Sequence, residues 1–123
     1  GIPVAVSAAL AVQEIFEKED IFNRAKNLSS YFLDGLFSLK DIKCIENIRG
    51  YGMMGGIDIR KSDRPGKAGF QVYKKCYDAG VNFKATGDCL IIAPPFICEK
   101  KHIDEIIEKL RTGIEAYSKS VQL

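Results

Sequence analysis

Tryptophan is absent, histidine occurs once (His102), and the cysteines at 44, 76, 89 and 98 never fall into a C-x-x-C pair. A structural zinc site or a dithiol redox centre needs closely spaced cysteine and histidine ligands, so this pattern excludes both. No serine stands in a nucleophile-elbow context, which leaves a hydrolase unsupported. Blocks of one charge sign are missing as well. The 18 basic and 16 acidic residues are mixed along the chain and leave a net charge of +2, too little to imply a nucleic acid or a membrane surface as partner. Nor is there a long hydrophobic run. The apolar opening Gly1–Val12 is too short to span a bilayer and lacks a basic flank, so it reads neither as an anchor nor as a signal peptide. The first residue is not methionine, as expected of a fragment or a processed product.

What is present is the composition of an ordinary folded domain. The 123 residues are 46% hydrophobic and 28% charged, which suits a single domain, 1–123, with one core and argues against disorder. Cys44, Cys76 and Cys89 lie in apolar or amphipathic runs, where free cysteine behaves as a small hydrophobe. They read as reduced core thiols of a cytosolic, cytoplasmic protein.

Periodicity divides the chain. Ile2–Lys18 reads as a helix with Pro3 early in it and an alanine-rich half whose small side chains would let another backbone approach. Asp20 is the expected N-cap of a second helix, whose stripe is Ile21, Phe22, Ala25, Leu28, Phe32, Leu36 and Leu39. A strand is expected from Ile42 to Arg49, then a glycine-rich stretch, then an alternating strand Ile57–Arg60. Gly50, Gly52 and Gly55 satisfy G-x-G-x-x-G. That fingerprint binds a dinucleotide only where its last glycine opens a helix, and here an extended segment follows, so the glycines read as a bulge or a close backbone contact. Lys61–Gly66 is a polar loop. Ala68–Ala79 is a third helix, stopped at Gly80 by a left-handed residue. A last helix carries Ile103, Ile106, Ile107, Leu110 and Ile114 and ends near Tyr117, with His102 a surface or capping residue in its first turn. The order ααββαββα predicts an α+β fold: a two-layer sandwich with a small, mainly antiparallel sheet covered by helices.

Between the last two helices lies the stretch that carries chemistry, Val81–Phe96. A strand bearing Lys84 leads into a Thr86-Gly87-Asp88 turn. Leu90-Ile91-Ile92-Ala93 follows without alternation, as expected of a strand buried on both faces. Pro94-Pro95 then ends the ladder.

Taken together, these motifs resemble the C-terminal small domain of class III, pyridoxal-phosphate-dependent aminotransferases, in particular the omega-amino acid (β-alanine):pyruvate branch. Gly1-Ile2-Pro3-Val4-Ala5 is similar to that family's Gly-His-Pro-Val-Ala junction, and Ser7-Ala8-Ala9-Leu10-Ala11 to the alanine-rich helix after it. Arg49-Gly50-Tyr51-Gly52-Met53-Met54-Gly55-Gly56-Ile57 is similar to its glycine-rich strand pair. Lys84-Ala85-Thr86-Gly87-Asp88, with Leu90–Pro95 following, resembles its Arg-x-x-Gly-Asp, apolar strand and Pro-Pro.

The resemblance implies a parent enzyme that moves an amino group from an amine or omega-amino acid to an α-keto acid such as pyruvate. It implies pyridoxal 5'-phosphate in the complete enzyme, and a homodimer or larger assembly. The cofactor's lysine and phosphate-binding residues belong to sequence before Gly1, so no cofactor is expected on this chain alone, nor a complete catalytic site. The one site residue carried over is Lys84, at the position of the arginine that grips the substrate carboxylate. Lysine offers a point charge in place of a planar fork. Two other readings stay open: a stand-alone α+β module that binds a metabolite or a partner, and a structural fragment that self-associates through surface its relatives bury.

Overall fold

The computed structural model describes residues 1–60 and 65–122. Among the described residues nine elements follow in chain order: α1 (Pro3–Lys18), α2 (Ile21–Phe37), a short 3-10 helix (Ser38–Asp41), β1 (Ile45–Tyr51), β2 (Met54–Ile59), α3 (Ala68–Asp78), β3 (Lys84–Thr86), β4 (Cys89–Ile92) and α4 (Lys100–Ser120). The 3-10 helix apart, this is the expected ααββαββα order. The four strands lie in the order β1-β2-β4-β3, and every neighbouring pair is antiparallel. The α+β sandwich is thus as anticipated.

Side chains alternate across a strand, and the sheet separates them by environment. Gly55, Ile57 and Ile59 of β2 and Leu90 and Ile92 of β4 are buried toward the helices. Against them pack Leu28, Phe32 and Leu36 of α2, Val72 and Cys76 of α3, and Ile103, Leu110, Ile114 and Tyr117 of α4, in one continuous core. Two leucines of α2 explain two of the glycines. A Cβ on Gly55 would stand 2.1 Å from Cδ2 of Leu36, and one on Gly50 would stand 2.4 Å from Cδ2 of Leu33. Gly50 and Gly55 are register partners, so α2 presses on a side-chain-free patch of the β1–β2 hairpin. Their role is helix–sheet contact, as the rejection of the dinucleotide reading anticipates.

α1 differs from the other helices. None of its residues is buried, and Val4, Leu10, Val12 and Ile15 stand open to solvent. It meets the body through an aromatic triangle, Phe16 with Phe22 (ring centroids 5.0 Å) and each with Phe96 (6.4 Å).

Several local expectations need correction. Asp20 does not cap α2 with its side chain. Its backbone is left-handed (φ 49°), whereas a cap residue is extended, and its carboxylate instead accepts from Nδ2 of Asn23 at 2.9 and 3.0 Å. α2 stops at Phe37, and the 3-10 turn brings Leu39 into the core. The first strand begins at Ile45, later than Ile42, although Ile42 and Cys44 are buried ahead of it. β4 is not buried on both faces. Cys89 and Ile91 are half-buried because no helix covers that side. The α4 stripe is as read, and the helix runs on to Ser120. Gly80 has φ 93° after α3. His102 caps as expected, its Nδ1 accepting the Glu99 N–H at 3.1 Å. Of the Lys61–Gly66 loop, only Pro65 and Gly66 lie within the described residues, as a turn.

Candidate functional site

The β3–β4 hairpin places Lys84 by register. Lys84 pairs with Ile91, Ala85 with Leu90, and Thr86 with Cys89. Leu90 is buried toward the helices, so Lys84 and Ile91 face the opposite, open side of the sheet. Ile91 in turn pairs with Gly56 of β2, and Gly56 with Arg49 of β1. Lys84, Ile91, Gly56 and Arg49 therefore form one row across the open face, a cation at either end and an apolar floor between.

Lys84 is exposed and stands on a groove of about 380 Å³ whose apolar wall includes Phe83, Ile91, Ile92, Pro94, Pro95 and Ile106. It is the one charged residue lining that groove among the described residues. A single ammonium group beside an apolar trough is suited to a carboxylate with an aliphatic body.

At the other end of the row, Arg49 lies across Gly56: a Cβ there would stand 3.4 Å from the guanidinium carbon. Arg49 forms an ion pair with Asp58 and donates to Sγ of Cys89 at 3.4 Å. The hydrogen bond from Arg49 holds the Asp58 carboxyl below its ordinary range. Burial, then the neighbouring Asp58, push the Cys89 thiol up. Cys89 thus belongs to this polar cluster and not to the core, against expectation. Cys44 and Cys76 are core thiols as read, and burial pushes Cys76 up to about 12. All four are free.

The turn that carries Lys84 is tied to α3. Lys67 occupies the N-cap position of α3, and its side chain has no acceptor to offer the helix. Asp88 supplies one from across the chain, accepting Gly66 N–H at 2.8 Å and Ala68 N–H at 3.0 Å. Gly69 lets the two segments meet, since a Cβ on it would fall 2.4 Å from the Gly87 carbonyl oxygen. The Asp88 carbonyl also accepts Ile59 N–H at 2.8 Å. Neither Asp88 nor Arg49 is a site candidate on sequence grounds. A signal for Asp88 is nevertheless present: a helix that starts at lysine, with no Ser, Thr, Asp or Asn to cap it, calls for an acceptor elsewhere.

The profile of the family described as Aminotransferase class-III matches residues 1–114. The chain belongs to the class III aminotransferases. It is 34% identical to an omega-aminotransferase of Caulobacter vibrioides over 110 residues, covering 89% of this chain and 25% of that protein. To a leucine/methionine racemase of Thermococcus litoralis it is 36% identical over 120 residues, covering 93% and 27%. Its fold superimposes on a thermostable omega transaminase mutant from Pseudomonas jessenii with a TM-score of 0.92 at 22% identity, over 98% of this chain and 28% of that one. The chain spans about a quarter of the length of the curated relatives it matches.

Aminotransferases of this family use pyridoxal phosphate and act on amino and keto acids. The groove at Lys84 does not suit that cofactor by itself. Its polar lining side chains are Asn82 and Lys84, too few donors for a phosphate dianion, and no acid stands there to meet a pyridine nitrogen. Among the described residues, no group of three or more His, Cys, Asp and Glu side chains converges on a metal position, and no helix is long and apolar enough to cross a membrane.

Proposed function

We propose that the chain is the C-terminal small domain of a pyridoxal-phosphate-dependent transaminase that moves an amino group from an amine or omega-amino acid to an α-keto acid such as pyruvate. In this reading Lys84 receives the substrate carboxylate. The observation that carries it is the position of Lys84: it projects from the open sheet face, at the rim of an apolar groove, on a turn anchored by Asp88. When bound in the complete enzyme, the cofactor supplies the electron sink for the carbanion. This chain's own residues bind and orient. Lys84 attracts the carboxylate, the Ile91–Pro95 wall takes the aliphatic part, and the groove limits water around the pair. Lysine has one compact charge where arginine has a fork, so the site should hold a carboxylate with less angular selectivity.

The test is a hybrid in which this chain replaces the matching quarter of the Caulobacter omega-aminotransferase. With pyruvate as acceptor, Lys84→Ala is expected to raise KM for a carboxylate-bearing donor about tenfold or more, with little change for a simple amine that has no carboxylate. Equal losses for both donors would make Lys84 structural. Loss of chirality without amino transfer would point instead to racemase chemistry, the activity in the name of the Thermococcus relative. The isolated chain is expected to show no turnover and no absorbance beyond that of free cofactor. A new absorbance band on adding pyridoxal phosphate, abolished by replacing one specific lysine, would sink the reading. Saturable binding of pyruvate or β-alanine by the isolated chain, lost in Lys84→Ala, would favour a stand-alone binding module.

A further inference from the structure

Little besides its own backbone aims Lys84. The sheet order leaves β3 at an edge, with β4 as its one neighbouring strand. The strand is three residues long, and a hairpin that short is marginal without outside support. Lys84 takes part in no ion pair among the described residues. Support comes from α3 at both ends of the strand. On the entry side Phe83 packs edge-on against Tyr73, with ring centroids 5.6 Å apart. On the turn side Oδ2 of Asp88 accepts Gly66 N–H at 2.8 Å and Oδ1 accepts Ala68 N–H at 3.0 Å. The ring contact is non-directional, whereas two hydrogen bonds to one carboxylate fix a position. The Asp88 carbonyl meanwhile takes Ile59 N–H of β2. One residue therefore locks the turn to α3 through its side chain and to β2 through its backbone.

We propose that Asp88 is a positioning residue for substrate recognition: by tying the β3–β4 turn to the start of α3, it sets where Lys84 meets the substrate carboxylate. The proposal rests on the reading of Lys84 given above and adds a second residue to it. Asp88 does not itself touch substrate in this account, because both of its carboxylate oxygens are engaged by α3. Two acceptors are what the joint requires. An asparagine amide would offer an acceptor to one N–H and turn a donor toward the other. The turn would then part from α3, and the edge strand with Lys84 would lose its fixed place over the groove. Binding of a carboxylate is sensitive to such a displacement. The loss is expected to be partial, since an ammonium on a flexible four-carbon stem can follow its partner. A donor without a carboxylate has nothing to lose. A cap that served α3 alone would change stability and leave the preference between donors as it was.

The test is a double-mutant cycle in the hybrid enzyme, with Asp88→Asn, Lys84→Ala and both together, assayed with a carboxylate-bearing donor and a simple amine. Asp88→Asn is expected to raise KM for the carboxylate donor about threefold to tenfold, with kcat and the simple amine unaffected. In the Lys84→Ala background it should change the donor preference no further. Ile114→Val, a core change in α4, is the stability control and should lower the melting temperature without altering that preference. Asp88→Ser keeps one acceptor and should fall between; it carries the same cycle if Asp88→Asn does not fold. Backbone-amide NMR of the labelled chain supplies a readout apart from activity: order parameters of Lys84–Thr86 should drop in Asp88→Asn while those of β1 hold. The proposal is overturned if both donors suffer equally, if the effects of the two substitutions multiply, or if the β3 amides stay as rigid as before. Loosened β3 amides in a hybrid whose Lys84→Ala shows no donor preference would overturn the carboxylate role of Lys84 and leave the hold of Asp88 on the strand standing.

Discussion

The two faces of the sheet are built from the same strands and differ in every physical respect. Toward the helices stand Ile57, Ile59, Leu90 and Ile92, all buried and all aliphatic. On the other side stand Asp58, Cys89 and Ile91, each next in sequence to one of these, and Lys84 across from Ile91, half-buried or exposed, with Arg49 and Gly56 beside them. The covered face is held by packing and the open face by directed polar contacts, so they respond to different perturbations. Stability resides in the first. The second can present a cation because the first already holds the strand in register.

Breaking the covered face gives the largest effect. Phe32 is fully buried beneath the sheet, and Phe32→Ala is expected to cost about 3–5 kcal/mol in a urea or guanidinium titration. A loss well under that range would show that α2 is less tightly engaged than its burial implies.

The next perturbation lies at the joint between the faces. Asp88→Ala removes the acceptor for Gly66 and Ala68 N–H groups and should cost about 1–2 kcal/mol. Faster amide exchange should appear in the first turn of α3 and at the Gly87 turn together. Faster exchange in one without the other would contradict the coupling.

On the open face, the Arg49–Asp58 pair gives a pH signature. The folded carboxyl of Asp58 titrates below its unfolded value because Arg49 hydrogen-bonds it. Its stabilisation is therefore complete above the unfolded carboxyl range, about pH 4, and is lost as pH falls through the folded value. Acidification from pH 5 to about pH 3 should accordingly lower the denaturation midpoint more in the natural sequence than in Asp58→Asn. Parallel acid profiles would show that the pair adds nothing to folding, as many exposed pairs do.

Lys84→Ala should do least to the fold, a change within about 0.5 kcal/mol by the same titration. Its effect belongs to carboxylate recognition. A clear destabilisation would make Lys84 part of the scaffold and dissolve the contrast between the faces.

Much of the fold is legible in the residues themselves. The helical stripes of α2 and α4 run through the core residues Phe32, Leu36, Leu110 and Ile114, and the switch from helical to alternating period marks β2. The expectations that fail depend on what lies next to a segment in space. Leu90–Ala93 is apolar enough for burial on both sides, yet no helix reaches the Ile91 side. Asp20 has the residue type of a cap and adopts a left-handed backbone instead. Cys89 sits in an apolar run and ends beside Arg49 and Asp58. Lys84 stands out in the sequence through a family likeness, and the register supplies its neighbours. Arg49 does not stand out, because nothing in its immediate sequence says that Gly56 will leave room for it.

The types and order of the elements, the antiparallel α+β architecture and the presence of a lysine at the head of the β3–β4 turn follow from the sequence by itself. Periodicity and turn chemistry are properties of neighbouring residues. Which side of the sheet is left open, that Arg49 shares a row with Lys84, and that Asp88 caps a helix begun at Lys67 are decided only by tertiary structure. Each depends on backbone pairing between segments distant in the chain, and a shift of one residue in that pairing would turn Lys84 into the core.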